Sequence, residues 1–212
     1  GENGAGKSTF INAILGIVQS QYQKLSYFGK DFHQYEKEIK EDLAVIFETS
    51  HYDVELTAQW IDRILSHTYR NWNHELYLKY LKQFDIPYHK KLKFFSRGMK
   101  MKLEFAIAFS HDAKLLILDE ATSGLDPIIR DEILDLIRDF TEDENHTVIM
   151  SSHITSDLDK IADYIVYIHQ GKCLFMQTYD DMKENYGIIH GNQNLLDTLS
   201  HDDIVSYITE PY

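Results

Sequence analysis

The chain has 212 residues, 43% of them hydrophobic, enough for one full core with a small subdomain rather than two independent domains. Its single cysteine, Cys173, excludes a disulfide framework and points to a reducing, cytosolic setting. No run approaches the roughly 18 uninterrupted apolar residues of a membrane span and no secretory leader is read, while a formal charge of -13 argues against nucleic acid as a partner, which would need a basic footprint.

The first residues carry chemistry. Gly1-Glu2-Asn3-Gly4-Ala5-Gly6-Lys7-Ser8 follows the phosphate-loop pattern of glycine, four residues, then Gly-Lys-Ser/Thr. It runs into Thr9-Phe10-Ile11-Asn12-Ala13-Ile14-Leu15, which reads as a helix closed by Gly16. The glycines let backbone N–H groups close around phosphate oxygens, and the helix N-terminus adds partial positive charge. Lys7 would reach the β and γ phosphates and Ser8 would offer its hydroxyl to Mg2+, so Asn3, Gly4, Ala5, Gly6, Lys7, Ser8 and Thr9 are candidate nucleotide contacts. The plainer reading is a glycine-rich turn that happens to precede a lysine.

Leu43-Ala44-Val45-Ile46-Phe47 reads as a strand, ended by Glu48. Beyond it the texture becomes helical: Thr57 to Tyr69 spaces Ile61, Ile64 and Leu65 as a helix does, and Asn73 to Phe84 repeats this with Leu76, Tyr77, Tyr80, Leu81 and Phe84 before a stop at Asp85-Ile86-Pro87. Aromatics of this stretch, Tyr52, Trp60 and Trp72 among them, belong either to its core or to a partner surface. From Ile86 to Leu103 there are six basic residues, Lys90, Lys91, Lys93, Arg97, Lys100 and Lys102, and no acid. Ser96 is a good N-cap for a helix from Met99 to Phe109. Positive charge at a helix N-terminus opposes the dipole unless an anion is bound there. The outer lysines read equally as a solvated face or a patch toward anionic lipid.

Lys114-Leu115-Leu116-Ile117-Leu118 is the continuous aliphatic run of a buried parallel strand, and it ends in Asp119-Glu120. Ligands of open α/β sheets sit beyond such strand ends, which places Asp119 to hold Mg2+ and Glu120 to take a proton from an attacking water. An ordinary acidic turn is the alternative. Thr147-Val148-Ile149-Met150-Ser151 is a further strand, running to Ser152-His153. After it, strands are expected at Asp163 to Ile168 and Cys173 to Met176 around His169-Gln170-Gly171-Lys172, then a helix near Thr178 to Tyr186. The last stretch, Gly187 to Tyr212, has weak periodicity. The eleven histidines lack zinc-ligand spacing, and repeats, low complexity and heptads are not found.

Asp119-Glu120-Ala121-Thr122-Ser123-Gly124-Leu125-Asp126-Pro127 resembles the Walker B and D-loop segment of ATP-binding cassette (ABC) ATPases. Phe95-Ser96-Arg97-Gly98-Met99-Lys100 stands where that family has its Leu-Ser-Gly-Gly-Gln signature, and the strand ending at His153 looks like the one that carries its switch histidine. The resemblance implies an α/β P-loop NTPase of the ABC type, a mainly parallel sheet flanked by helices with an inserted helical subdomain. Residues 1–48 and 111–176 would be the core, 49–110 the helical subdomain and 177–212 a C-terminal extension. Family strands before the phosphate loop, one with an adenine-stacking aromatic, are not among these residues, so the 212-residue chain is expected to bind nucleotide weakly.

It further implies the ATP-binding subunit of a transporter, hydrolysing Mg-ATP as a head-to-tail dimer, homo- or heteromeric, beneath a transmembrane permease at the inner face of the membrane. Glu120 would be the general base and His153 would steady the γ-phosphate. Ser96 and Gly98 would meet the nucleotide of a second cassette, with Asp126 near the shared seam. Two positions depart from the family's commonest form: Glu48 replaces the glutamine that contacts Mg2+ or its water, and Arg97 replaces a signature glycine. The Ser-Arg-Gly-Met-Lys form is similar to that of bacterial drug and peptide-antibiotic exporters. A soluble ABC ATPase of translation and a regulatory nucleotide-binding subunit remain as alternatives.

Overall fold

The computed structural model describes residues 4–185 together with Thr198 and Ser200. Gly1, Glu2 and the expected nucleotide contact Asn3 lie outside the described residues, as does most of the C-terminal segment after Asn185.

At the centre is a parallel sheet of three strands in the order β3-β4-β5, formed by Leu43–Phe47, Leu115–Asp119 and Thr147–Ser151. All five residues of β4 are buried, as its unbroken aliphatic run requires when both neighbours are strands and both faces are covered. Side chains alternate between those faces. Leu115 and Ile117 pack with Ile11 of the first helix, with Leu15 that ends it, and with Phe32 and Ile39 of the second, whereas Leu116 and Leu118 join the larger cluster around Leu103, Phe105, Ile133 and Leu134. Truncating one such buried aliphatic side chain to alanine costs about 2–5 kcal/mol. The pairing places Phe47 opposite Asp119 and Asp119 opposite Ser151, so the three strands end in one row. The residues that follow them emerge along the same sheet edge.

On one side lie α1 (Lys7–Ile14) and α2 (Phe32–Glu41), with a short hairpin of β1 (Ser26–Tyr27) and β2 (Lys30–Asp31) before α2. The other side holds α3 (Ala58–Thr68), α4 (His74–Gln83), α5 (Arg97–Phe109) and α6 (Pro127–Thr141). The caps explain where three of these begin: Thr57, Asn73 and Ser96 accept from the N–H groups of Trp60, Leu76 and Met99 at 3.2, 2.9 and 3.1 Å. All three helices start within two residues of their expected positions. Asp62, buried on α3, accepts from Trp72 Nε1, His74 Nδ1 and Tyr88 Oη at 2.8, 2.7 and 2.7 Å, which ties α3 to α4 and to the segment before the signature turn. Tyr52 and Trp72 thus pack on the core, while Trp60 stands half exposed under the Arg63 guanidinium.

The chain continues through α7 (Thr155–Ile161), the antiparallel hairpin β6 (Tyr164–His169) and β7 (Lys172–Thr178), and α8 (Tyr179–Asn185). The hairpin turns at Gln170-Gly171, both with positive φ. Among the described residues, no helix is long and apolar enough to cross a membrane.

Candidate functional site

The phosphate-loop glycines adopt backbone that only glycine enters freely: φ is +79° at Gly4 and +106° at Gly6, which caps α1. Among the described residues no side chain caps α1, and an uncapped helix N-terminus is the usual seat of an anion. The loop is braced from behind: Gly171 N donates to Ala5 O at 2.8 Å, and a Cβ on Gly6 would stand 3.3 Å from Gly171 Cα. Ala5 is accordingly buried, while Thr9 is exposed on the rim.

Beyond β4 the two acids part. Asp119 is buried and its Oδ1 accepts from Ser151 Oγ at 2.6 Å and from Ser8 Oγ at 3.1 Å. Glu120 turns into left-handed backbone, φ +53°, with its N–H donating to Ser151 O at 3.2 Å and Oγ at 3.1 Å. That turn aims its carboxylate the other way, where Lys7 Nζ lies 3.2 Å from Oε1 and His153 Nδ1 lies 2.6 Å from Oε2. Partial burial pushes the Glu120 carboxyl up, but the hydrogen bonds from His153 and Lys7, with their charges, outweigh it and hold it below the usual glutamate value. Held by these two partners, the Glu120 carboxylate stays ionised at neutral pH.

These groups open on a cavity of about 320 Å3 lined by Gly4, Gly6, Lys7, Ser8, Thr9, Glu48, Glu120, Ser123 and His153. Residues expected from the first turn of the chain, from the ends of β3 and β4, and from beyond β5 thus share one concavity. Five expected residues do not line it: Ala5 and Asp119, buried behind it, and Ser96, Gly98 and Asp126, held elsewhere. Ser96 caps α5, Gly98 lies against Ile129 so closely that a Cβ there would stand 3.3 Å from its side chain, and Asp126 caps α6 by accepting from Ile128 N at 2.9 Å. The basic run is largely paired within the chain: Lys91 and Lys93 with Glu55 at 2.8 and 2.9 Å, Lys102 with Glu132, and Arg97 Nη2 with Glu48 Oε1 at 3.2 Å. Those carboxylates are anions for the basic stretch within the chain itself.

Ser123 and Ser151 were not singled out from the sequence. Nor was Asp157, buried, which accepts from the buried Thr122 hydroxyl at 2.8 Å and so anchors the turn after Glu120. A serine ending a strand carries no motif of its own, and only the pairing of Ser151 with Asp119 reveals it.

The ABC transporter family profile matches residues 1–123. The chain is 34% identical over 186 residues to the bacitracin transport ATP-binding protein BcrA of Bacillus licheniformis, covering 87% of this chain but 61% of that protein. It is 33% identical over 199 residues to the lantibiotic transport ATP-binding protein SrtF of Streptococcus pyogenes, covering 93% and 84% of the two chains. A solved ATP-binding subunit of an ABC transporter superposes with a TM-score of 0.76 at 26% identity, over 95% of this chain and 82% of the other.

Proposed function

The chain belongs to the ABC transporter family, and from that premise we propose that it is the Mg-ATP-hydrolysing subunit of an exporter, working as a head-to-tail dimer beneath a transmembrane partner at the cytoplasmic face. The observation that carries this reading is Glu120 held between Lys7 and His153 beside the Ser8–Asp119 pair.

In this reading Glu120 stands in the free site where charge complementarity favours a terminal phosphate. When ATP enters, Lys7 exchanges the carboxylate for β and γ oxygens, and the released Glu120 becomes the base for water while His153 steadies the γ-phosphate. A hydroxyl 3.1 Å from a buried carboxylate suits a hard cation that keeps several waters and takes its other oxygens from phosphate, so Ser8 and Asp119 would hold Mg2+, with Glu48 on its water. Bound there, Mg2+ would neutralise charge on the β and γ phosphates. Ser96 and Gly98, away from their own chain's cavity, would serve the nucleotide of a second copy, with Asp126 at the seam.

Within this reading residues 1–48 and 111–176 act as the nucleotide core, 49–110 as the helical unit that meets the permease, with exposed Trp60 and Ile64 as contacts, and 177–212 as an extension. The names of the bacitracin and lantibiotic relatives support peptide antibiotics as cargo. Reconstitution with its permease in proteoliposomes tests the whole: peptide-stimulated ATP hydrolysis that Lys7→Ala abolishes is expected, and turnover indifferent to Lys7→Ala would overturn the proposal.

A further inference from the structure

Arg97 opens α5 with its guanidinium 3.2 Å from the Glu48 carboxylate, a contact across 49 residues of chain. The same guanidinium lies against Gly124, where a Cβ would stand 2.8 Å from Nη1 and 3.1 Å from Cζ. Gly124 has φ +62°, so the turn both accepts and requires a residue without a side chain at the place where the guanidinium rests. One side chain thereby joins the residue after β3, the start of α5 and the turn between Glu120 and α6.

Stability does not account for this arrangement. Arg97 and Glu48 side chains are 44% and 52% exposed, and an ion pair so open to water contributes little to folding. Electrostatics near the cavity does. Glu48 lines the cavity with Glu120, so two carboxylates face a place proposed for a triphosphate. Glu120 has Lys7 and His153 on its two oxygens; Glu48 has Arg97.

We infer that Arg97 is a positioning residue for nucleotide binding within its own chain: it holds the Glu48 carboxylate at the cavity rim and compensates its charge, so that Mg-ATP can enter beside a second acid. This rests on the nucleotide site proposed above. Its consequence is a dependence of Arg97 on Glu48: without the guanidinium, an uncompensated carboxylate repels the phosphates, and neutralising Glu48 as well removes that repulsion.

A double-mutant cycle in the protein assembled with its permease tests this, reading Kd for Mg-ATP by calorimetry and melting temperature for each variant. Arg97→Gln should weaken Mg-ATP binding by about tenfold, the size of coupling between neighbouring charged groups, with little change in melting temperature. The double variant Glu48→Gln/Arg97→Gln should bind within about twofold of Glu48→Gln alone. The inference is overturned if Arg97→Gln weakens binding equally in both backgrounds, or if it lowers the melting temperature while Kd stays unchanged. Lys7→Ala run in parallel keeps the two proposals apart: binding unaffected by Lys7→Ala rejects the nucleotide site itself, whereas loss with Lys7→Ala and additivity in the cycle rejects only the role of Arg97.

Discussion

His153 Nδ1 lies 2.6 Å from Oε2 of Glu120, although the two residues leave the sheet from different strands. Neighbouring strand ends, rather than neighbouring sequence, set that distance: Glu120 directly follows β4 and His153 stands two residues beyond β5, and the last residues of those strands, Asp119 and Ser151, pair directly. Lys7 completes the grip from the N-terminus of α1.

Glu120→Gln should lower turnover by about 10²- to 10⁴-fold, the usual contribution of a positioned base. Because the change also removes the carboxylate that holds Lys7 at 3.2 Å, Mg-ATP should bind more tightly than to the wild type. Single-turnover kinetics and equilibrium binding read the two effects separately, and wild-type turnover would dismiss Glu120 as the base.

His153→Ala should reduce kcat by about 10²-fold through loss of a transition-state contact. It should also displace the acid limb of the pH profile. His153 and Lys7 hold the Glu120 carboxyl below its ordinary value against the upward push of burial, so removing His153 moves it upward and the variant loses activity at a higher pH than the wild type does. Profiles of kcat/KM, which report the free enzyme where His153 holds Glu120, taken across mildly acidic pH check this, and coincident acid limbs would contradict it.

Ser151→Ala removes the 2.6 Å donor to Asp119 Oδ1 and one of two acceptors for Glu120 N–H. Groups that orient a metal ligand are typically worth 10- to 100-fold in metal affinity. The Mg2+ concentration for half-maximal hydrolysis should rise by about that factor, as a magnesium titration would read. An unchanged requirement would show that Ser151 does not orient Asp119 for the metal.

Glu104→Gln tests a stability term on α5. Burial pushes the Glu104 carboxyl of α5 up to about 7, against a hydrogen bond from Ser50, with Tyr52 and Tyr77 close by. A raised carboxyl binds its proton more strongly in the folded state, so its contribution is full below the unfolded value of about 4.5 and is lost as pH rises through about 7. The neutral amide has no such dependence. Glu104→Gln should gain stability over the wild type as pH rises from 5 to 8, by at most on the order of 3 kcal/mol. Urea melts at both ends of that range measure the difference, and a pH-independent difference would refute it.

Much of the molecule is legible along the chain. Thr57, Asn73 and Ser96 announce their helices because an N-cap satisfies donors only two or three residues away, and the aliphatic run of β4 announces burial by its composition. Gly4, Gly6, Lys7 and Ser8 line one cavity because one turn of backbone gathers them. Equally local are Asp31, which caps α2, and Asp126 with Pro127, which open α6 within the segment that resembles a D-loop.

What the sequence determined by itself is the set of chemical groups and the local turns that present them, since hydrogen bonds and periodicities within a few residues depend on little else. Tertiary structure decided which groups meet. The row Phe47, Asp119, Ser151 arises from parallel register, and register depends on burying Leu115 to Leu118 between two helical layers. From that register follow the Ser151–Asp119 bond and the convergence of Glu120 on His153. Arg97 found Glu48 and Gly124 for the related reason that α5 packs against β3, an arrangement held by buried contacts between residues far apart in the chain, from Ala44 to Ile137.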